Sequence, residues 1–340
     1  CGLARREPGH QIARKARDVQ LEGNRFLVTG GGGFIGRYVV RRLRRAGASV
    51  RVMELPGRGA AFASDAGIEV LGGDLTSPEQ CHRACEGIDG VFHMGVLALN
   101  PSGANPRLCV EVNVNGTFNV LEAARDAGVK RLVFSSASSV YGDTLEVMDE
   151  THPLNSRHIY GASKIAGEAL VRAFSGMFGL PCVTLRYMNV YGPHAGFGLV
   201  DSVLNRIASG QAPLINGDGS QSFDFVFVDD VAGATVRAME AEVADEVFNV
   251  GSGEEKTVKD VTLALLELTG AGLVPEFRDV QVPMVRRVNT HTPTVKDHGG
   301  PSTPMQRPDA PECLIINRHP HSGSNAACTG GQARTNLEFG

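Results

Sequence analysis

The sequence has no surplus of positive charge. Its 33 Lys and Arg are outnumbered by 37 Asp and Glu, for a formal net charge of −4 and a pI near 6.2. Without a basic field, nucleic acid and anionic membrane surfaces are not expected partners. Long hydrophobic runs are missing too: no apolar segment reaches the roughly 18 residues that a membrane-spanning helix needs. Tryptophan is absent. Cysteine is sparse and ill placed for disulfides, with seven residues at 1, 81, 85, 109, 182, 313 and 328. An odd, scattered set of this kind is no disulfide framework. Cys81 and Cys85 are four apart, on one helix face, and not at the two-residue gap of a zinc knuckle or redox pair. Cys313, His319, His321 and Cys328 follow no standard zinc spacing. The expectation is free buried thiols, no metal centre and a reducing, cytoplasmic compartment.

Glycine is in excess, at 42 of 340 residues, about 12 % against a usual value of about 7 %. Hydrophobic residues make up 42 % and charged residues 21 %, enough for a buried core. Residues 1–21 are polar, with Arg5, Arg6, Arg14, Lys15 and Arg17, and are expected to form a solvated tail. Residues 297–340 shift to Pro, Gly, Ser, His and Thr without periodicity and are expected to be mostly disordered. Between the tails, short apolar runs alternate with helical patterns. Strands are predicted at Arg25–Thr29, Ser49–Met53, Glu69–Leu71, Gly90–His93, Arg131–Ser135 and Val183–Leu185. Helices are predicted at Gly36–Ala46, Pro78–Glu86, Asn113–Ala127 and Ile159–Phe178; Val114, Phe118, Leu121 and Ala124 recur near the helical period. The alternation predicts an α/β fold with a doubly wound parallel sheet covered on both faces.

Glycine concentrates where the chain leaves the first strand. Leu27-Val28-Thr29 runs into Gly30-Gly31-Gly32-Gly33-Phe34-Ile35-Gly36, and a helical pattern opens at once. Gly30 permits a sharp turn, Gly33 a close approach of backbone to a pyrophosphate, and Gly36 a close helix–sheet contact. A helix start offers unpaired N–H groups and a partial positive charge to phosphates. A glycine pattern alone is weak evidence. This one lies between strand and helix and is followed by an acid at the end of the next strand, Glu54, 18 residues past Gly36. A carboxylate there accepts both ribose hydroxyls and repels a 2′-phosphate, which favours NAD over NADP. Arg37 and Arg58 pull the other way, but Arg37 belongs with Arg41, Arg42, Arg44 and Arg45 to what reads as a solvated helix face.

Tyr160-Gly161-Ala162-Ser163-Lys164 sets a phenol and an ammonium one helical turn apart on one face. A free phenol, with a pKa of about 10, is a poor base near neutrality. A nearby cation, helped by a positive nicotinamide ring, stabilises the phenolate. Tyr160 can then take a proton from a hydroxyl as hydride leaves the same carbon. The spacing alone is common on helix surfaces. Following a fifth strand, it reads as a catalytic pair.

These features together resemble the extended short-chain dehydrogenase/reductase family, and within it the nucleotide-sugar epimerases and dehydratases. The glycine spacing of three and three is part of the likeness. Further matches follow in order over roughly residues 24–290: Gly73-Asp74-Leu75, His93-Met94-Gly95-Val96, Asn113-Val114-Asn115-Gly116-Thr117, Ser135 to Gly142, Leu185 to Pro193, Gly217 to Gln221, Asp229-Asp230-Val231 and Phe248 to Gly253. The resemblance implies an NAD-binding Rossmann domain at 22–180, with the remaining core strands and a smaller C-terminal substrate lobe at 181–296. It implies that Gly30, Gly33, Phe34, Ile35, Gly36, Glu54, Asp74, Leu75, Met94, Gly95, Val96, Asn113 and Met188, with Tyr160 and Lys164, line an NAD site. Asp74 would accept from the adenine amino group, and Asn189 would meet the diphosphate of a nucleotide-sugar substrate. It also implies a homodimer built on the Asn113 and Tyr160 helices.

Three features depart from the family pattern. The Ser or Thr expected four residues before Tyr141, bonded to the reacting hydroxyl, is Ala137; Ser136 and Ser138 flank it and are the candidates to replace it. Loss of such a donor costs about 10²–10³ in rate. Phe223 stands where many epimerases carry an arginine for the diphosphate, which leaves Arg286 or, as the better candidate, Arg287. The match ends near Asn289. The expected function is NAD-dependent C4 epimerisation of a nucleotide sugar, a UDP-sugar, through a 4-keto intermediate. A 4,6-dehydratase would want Thr-Asp-Glu where the chain reads Ala137-Ser138-Ser139. The alternatives are a nucleotide-sugar reductase or dehydrogenase using the same pair, and a catalytically impaired NAD-binding sensor.

Overall fold

The structure is a computed structural model that describes residues 19–57, 62, 65–280 and 286–288, together with the backbone of 315 and 316. Strand and helix alternate through the first half: β1 (Arg25–Thr29), α1 (Phe34–Arg45), β2 (Ser49–Glu54), β3 (Ile68–Gly72), α2 (Pro78–Cys85), β4 (Gly90–His93), α3 (Leu99–Ala104), α4 (Pro106–Val110), α5 (Gly116–Asp126), β5 (Arg131–Ala137), α6 (Ile159–Phe178) and β6 (Cys182–Tyr187). The second half adds β7 (Asn189–Tyr191), α7 (Gly198–Ala208), β8 (Leu214–Asn216), β9 (Ser222–Phe227), α8 (Val228–Glu240), β10 (Glu246–Gly251), β11 (Glu255–Thr257), α9 (Val258–Thr269), β12 (Glu276–Arg278), β13 (Arg286–Arg287) and β14 (Ile315–Ile316).

Seven strands form a parallel sheet in the order β3-β2-β1-β4-β5-β6-β10, and β14 pairs antiparallel with the outer edge of β10. The architecture is the expected Rossmann-like α/β fold. Its central strands are buried along their whole length because helices cover both faces. Alternation along each strand divides the core. Phe26 and Val28 of β1 join Val133 of β5 in the cluster under α1 and α8, whereas Leu27, Leu132 and Phe134 join the cluster under α2, α5 and α6. From β1 the chain winds outward to β2 and β3, then returns to β4 on the other side. The C-terminal ends of β1 and β4 therefore flank the topological switch point, where a doubly wound sheet leaves a crevice for ligand.

Beside the central sheet lie two separate smaller sheets. In one, β9 pairs with β7, β11 and β13; in the other, β8 pairs with β12. β7 and β9 are parallel, with Asn189 opposite Phe225. Among the described residues no helix is long and apolar enough to cross a membrane, and Cys81, Cys85, Cys109 and Cys182 are free and buried.

Several expectations are corrected. The helix predicted at Asn113–Ala127 starts upstream as α4, passes through a π-helical turn at Glu111–Asn115 and continues as α5. Such single π turns insert one extra residue and often sit at functional sites. β10 was not among the predicted strands: buried Asn249 interrupts its apolar run. The arginine run on α1 is only partly a solvated face. Arg42 makes two bonds to Asp229, at 2.8 and 3.0 Å, and Arg44 donates to the Ala48 carbonyl at 2.6 Å. Arg37, Arg41, Arg44 and Arg45, with Phe62, Asp65 and Ile68, line a cavity of about 370 Å³ on the outer flank of α1, away from Tyr160. Residues 1–18, Arg58, and the tail with its Cys and His residues lie outside the described residues. Within that tail, Ile315 and Ile316 pair with the edge of β10.

The two-sided core makes a stability prediction. Leu121 of α5 is fully buried, whereas Leu268 of α9 is 61 % exposed. Leu121→Ala should destabilise by about 2–5 kcal/mol and Leu268→Ala by under about 0.5 kcal/mol. Chemical denaturation of the two variants side by side tests this.

Candidate active site

The glycine loop lies where the switch point requires it. Gly30 has φ +66°, and a Cβ there would come within 2.8 Å of Gly95 Cα, so the loops after β1 and β4 meet backbone to backbone. A Cβ on Gly36 would collide with the Gly30 carbonyl oxygen. Gly33 caps α1 without a side-chain bond, and the first turn holds no acid. The first N–H groups of α1 thus have no side-chain cap, and the loop has no room for side chains. This cradle suits a diphosphate. Glu54, at the end of β2, accepts from Gly32 N at 3.1 Å. Asp74 follows β3 and accepts from Thr76 N at 2.9 Å. Arg37 braces the cradle by donating to the Gly32 carbonyl at 3.1 Å and the Gly33 carbonyl at 3.3 Å. Across the crevice, Met94 N and Gly95 N both donate to Thr29 Oγ1, at 3.1 and 3.0 Å. Leu75 contacts Gly95, and Val96 is exposed. Ile35 packs on the core, and the Phe34 ring meets Phe197 edge-on at 5.7 Å.

The α6 pair stands beside this crevice. Lys164 is 4 % exposed, and its Nζ donates to the Ser135 carbonyl at 2.8 Å. The ammonium lies 5.9 Å from the centre of the Tyr160 ring. Burial lowers the Lys164 pKa to about 8, against the opposing charges of Glu168 and Cys109. Burial also pushes the Tyr160 phenol up to about 12, with Cys109 adding to the effect. In the protein alone, desolvation governs the phenol. Among the described residues the Tyr160 hydroxyl has no hydrogen-bond partner, so it is free to meet one from a ligand.

Asn113 is held on several sides by the protein itself. Its amide is buried, accepts from Leu97 N at 2.7 Å, and donates to the Leu97 carbonyl at 3.1 Å and to Ser163 Oγ at 3.0 Å. Ser163 Oγ in turn donates to the Tyr160 carbonyl at 2.7 Å. Asn113 therefore ties the loop after β4 to the first turn of α6. Beneath them, His93 bridges Thr29 Oγ1 at 2.8 Å and Thr117 Oγ1 at 3.0 Å. Burial lowers its pKa to about 3, so the ring is neutral.

Ser136 is likewise engaged. Its hydroxyl donates to Glu168 Oε1 at 2.5 Å, so it is an anchor and not a donor to substrate. Glu168 is paired with Arg186 at 2.7 Å, and Arg186 reaches the Tyr141 hydroxyl at 2.9 Å. Sequence reasoning missed Glu168 as a site neighbour, although it follows Lys164 by one helical turn. Ser138 opens the 3₁₀ turn Ser138–Tyr141, and its hydroxyl makes no hydrogen bond among the described residues; Ser139 Oγ is buried without a partner.

On the substrate side, Met188 is buried and Asn189 Nδ2 is buried with no partner. Phe223 and Arg287 are register partners in β9 and β13, so these two predicted residues are brought together. Arg287 contacts Asp143 at 3.2 Å and keeps a buried Nε without a partner, whereas Arg286 is held at both ends of its guanidinium fork by Glu255.

Known proteins place this geometry in context. The sequence model of the NAD dependent epimerase/dehydratase family matches residues 26–251, from the second residue of β1 to the end of β10. The chain is 34 % identical over 277 residues to UDP-glucose 4-epimerase of Mycolicibacterium smegmatis, covering 77 % of this chain and 88 % of that protein. It is 29 % identical over 303 residues to UDP-N-acetyl-alpha-D-glucosaminuronate decarboxylase of Bacillus cytotoxicus, covering 84 % and 89 %. The crystal structure of Thermus thermophilus UDP-glucose 4-epimerase in complex with NAD superposes with a TM-score of 0.71 at 33 % identity, over 78 % of this chain and 90 % of that one. The match runs across the seven parallel strands of the central sheet, and the chain belongs to the NAD dependent epimerase/dehydratase family.

Proposed function

We propose that the protein is a nucleotide-sugar 4-epimerase acting on a UDP-sugar. The observation that carries the reading is the partnerless Tyr160 hydroxyl one helical turn from a buried Lys164, beside an uncapped glycine cradle. The likeness to UDP-glucose 4-epimerases over most of both chains supports it.

Gly30, Gly33 and Gly36 would hold the diphosphate of NAD, with Glu54 at its adenosine ribose and Asp74, Leu75, Met94, Gly95, Val96 and Met188 along its length. When bound there, NAD supplies a reversible hydride acceptor, which lets a sugar carbon be oxidised and then reduced from its other face. Tyr160 holds and returns the proton of the C4 hydroxyl. Lys164, fixed by the Ser135 carbonyl, keeps a positive charge beside the phenol and favours the phenolate. Ser138 is the donor to the reacting hydroxyl in place of the absent side chain at Ala137. Asn189 and Arg287 each have a buried donor to spend on the substrate diphosphate, and Phe223 walls the same subsite.

A 4,6-dehydratase would need an acid that Ala137-Ser138-Ser139 does not offer. The reductase and sensor readings are separated from the epimerase by whether added NAD turns over and whether any sugar is converted. Exposed Phe118 on α5 and exposed Met177 and Phe178 on α6 support a homodimer through these helices. The four free cysteines support a reducing, cytoplasmic setting.

Incubation with UDP-glucose should yield its C4 epimer without net consumption of NAD; a dehydrated or decarboxylated product, or none, refutes the reading. Tyr160→Phe should lower kcat by about 10²–10⁴ with dinucleotide binding retained. Ser138→Ala should cost about 10²–10³, as measured by steady-state kinetics. Lys164 works in its charged form, and its pKa is about 8. Activity should therefore fall as pH rises through about 8, and Lys164→Met should abolish that limb of the profile.

A further inference from the structure

One turn beyond Lys164, α6 carries a second charge. Glu168 is 6 % exposed, and its partner Arg186 on β6 is 3 % exposed. Both Nε and Nη2 of Arg186 donate to the Glu168 carboxylate, at 3.0 and 2.7 Å. Desolvation offsets most of the attraction in such a pair, so net stability is a weak reason for it. Its attachments are more informative. Ser136 Oγ donates to Glu168 Oε1 at 2.5 Å, and Arg186 Nη1 donates to the Tyr141 hydroxyl at 2.9 Å and to the Glu150 carbonyl at 3.1 Å. Tyr141 donates onward to Asn249 Oδ1 at 2.6 Å. Both ends of the segment 136–141, which contains Ala137 and Ser138, are thus moored to one ion pair. The Lys164 ammonium is moored to Ser135, the residue immediately before that segment.

We propose that the Glu168–Arg186 pair is the positioning element of the active site: it fixes the 136–141 turn against α6 and sets the electrostatic balance at Lys164 and Tyr160. The inference rests on reading Tyr160 and Lys164 as the catalytic pair. The charged and titratable groups facing Lys164 are Tyr160 and Glu168 on α6, Cys109 on α4 and neutral His93 on β4. Glu168 is faced by Arg186, behind which lie Tyr141 and Glu150. In a buried site a neighbouring charge is poorly screened. Removing the charge of Glu168 leaves Arg186 uncompensated, and the added positive potential favours the deprotonated forms of both Lys164 and Tyr160. Removing the charge of Arg186 does the reverse.

Glu168→Gln should move the pH limbs of kcat to lower pH, and Arg186→Met should move them to higher pH, each by about half a unit or more. The double variant Glu168→Gln/Arg186→Met leaves no unpaired charge. It should lose about tenfold or more in kcat, with little change in KM, because the turn has lost its moorings. Ser136→Ala, which breaks a single mooring, should lower kcat several-fold at constant KM, and it keeps the test open if the charge variants fail to fold. Single-variant limbs that do not move, or that move the same way, overturn the proposal. So does a folded double variant with the parent's kcat, or an unaltered Ser136→Ala where the charge variants do not fold. Titration of the Tyr160 phenolate by ultraviolet difference against Tyr160→Phe reads the same shifts without substrate. If no nucleotide sugar is converted but the opposite shifts appear, the functional reading fails and the electrostatic role stands.

Discussion

The site depends on an ammonium group kept away from water. Lys164 loses most of its hydration on α6, and its lowered pKa records that loss. Three features oppose it: the Ser135 carbonyl accepts a bond, the Phe134 ring lies 5.1 Å below the charge, and Glu168 supplies the opposite sign one turn away. The outcome is a lysine still charged near neutrality yet close to losing its proton. The same desolvation raises Tyr160. A half-buried phenol and a buried ammonium are thus each pushed toward the neutral form, and any further positive charge brought to the phenol has a large effect on it.

The fold supplies the crevice by topology and closes it by small atoms. β1 and β4 are neighbours, with Thr29 opposite His93. The strand order reverses between them, so the loops at their ends diverge over a common opening. Thr29 links the two: its hydroxyl accepts from Met94 and Gly95, while His93 sits on its other side. Gly30 and Gly95 are in contact through backbone, which sets how deep the cleft lies. A larger residue at Gly30 would strike the Gly95 backbone and separate the loops, whereas one at Gly95 would press on Leu75 and Thr29.

What was legible in the sequence was local. The glycine loop, Glu54 and the Tyr160–Lys164 spacing each need only one element or one turn to be recognised, and all three lie where the pattern puts them. Ile159–Phe178 has the predicted bounds, since its apolar period is unbroken and Gly179 ends it with φ +66°. Pairings across the chain were illegible. Arg42 looked like a solvated side chain because its partner Asp229 is 187 residues away. Asn113 carries the family motif, but the sequence does not reveal that a π turn directs its amide toward Leu97 and Ser163. Glu168 and Arg186 are 18 residues apart on different elements, and only packing of α6 on β6 makes them a pair.

Strand geometry separates the two serines that flank Ala137. Successive side chains of a strand point to opposite faces. In β5, Leu132, Phe134 and Ser136 share the α6 face, which is why Ser136 finds Glu168. Arg131, Val133, Ser135 and Ala137 take the other face, and Arg131 accordingly reaches the Met239 carbonyl at the end of α8. Bringing Ser136 to the position of Ala137 would need a one-residue slip of β5, and such a slip would turn every buried side chain of the strand to the wrong face. Ser136 is therefore held by the whole strand and not by its own bond alone. Ser138 escapes this constraint, because the strand ends at Ala137 and a tighter turn begins. Its hydroxyl can reorient within the turn without moving β5. Of the two serines that flank Ala137, Ser138 is thus the one whose placement the strand does not fix.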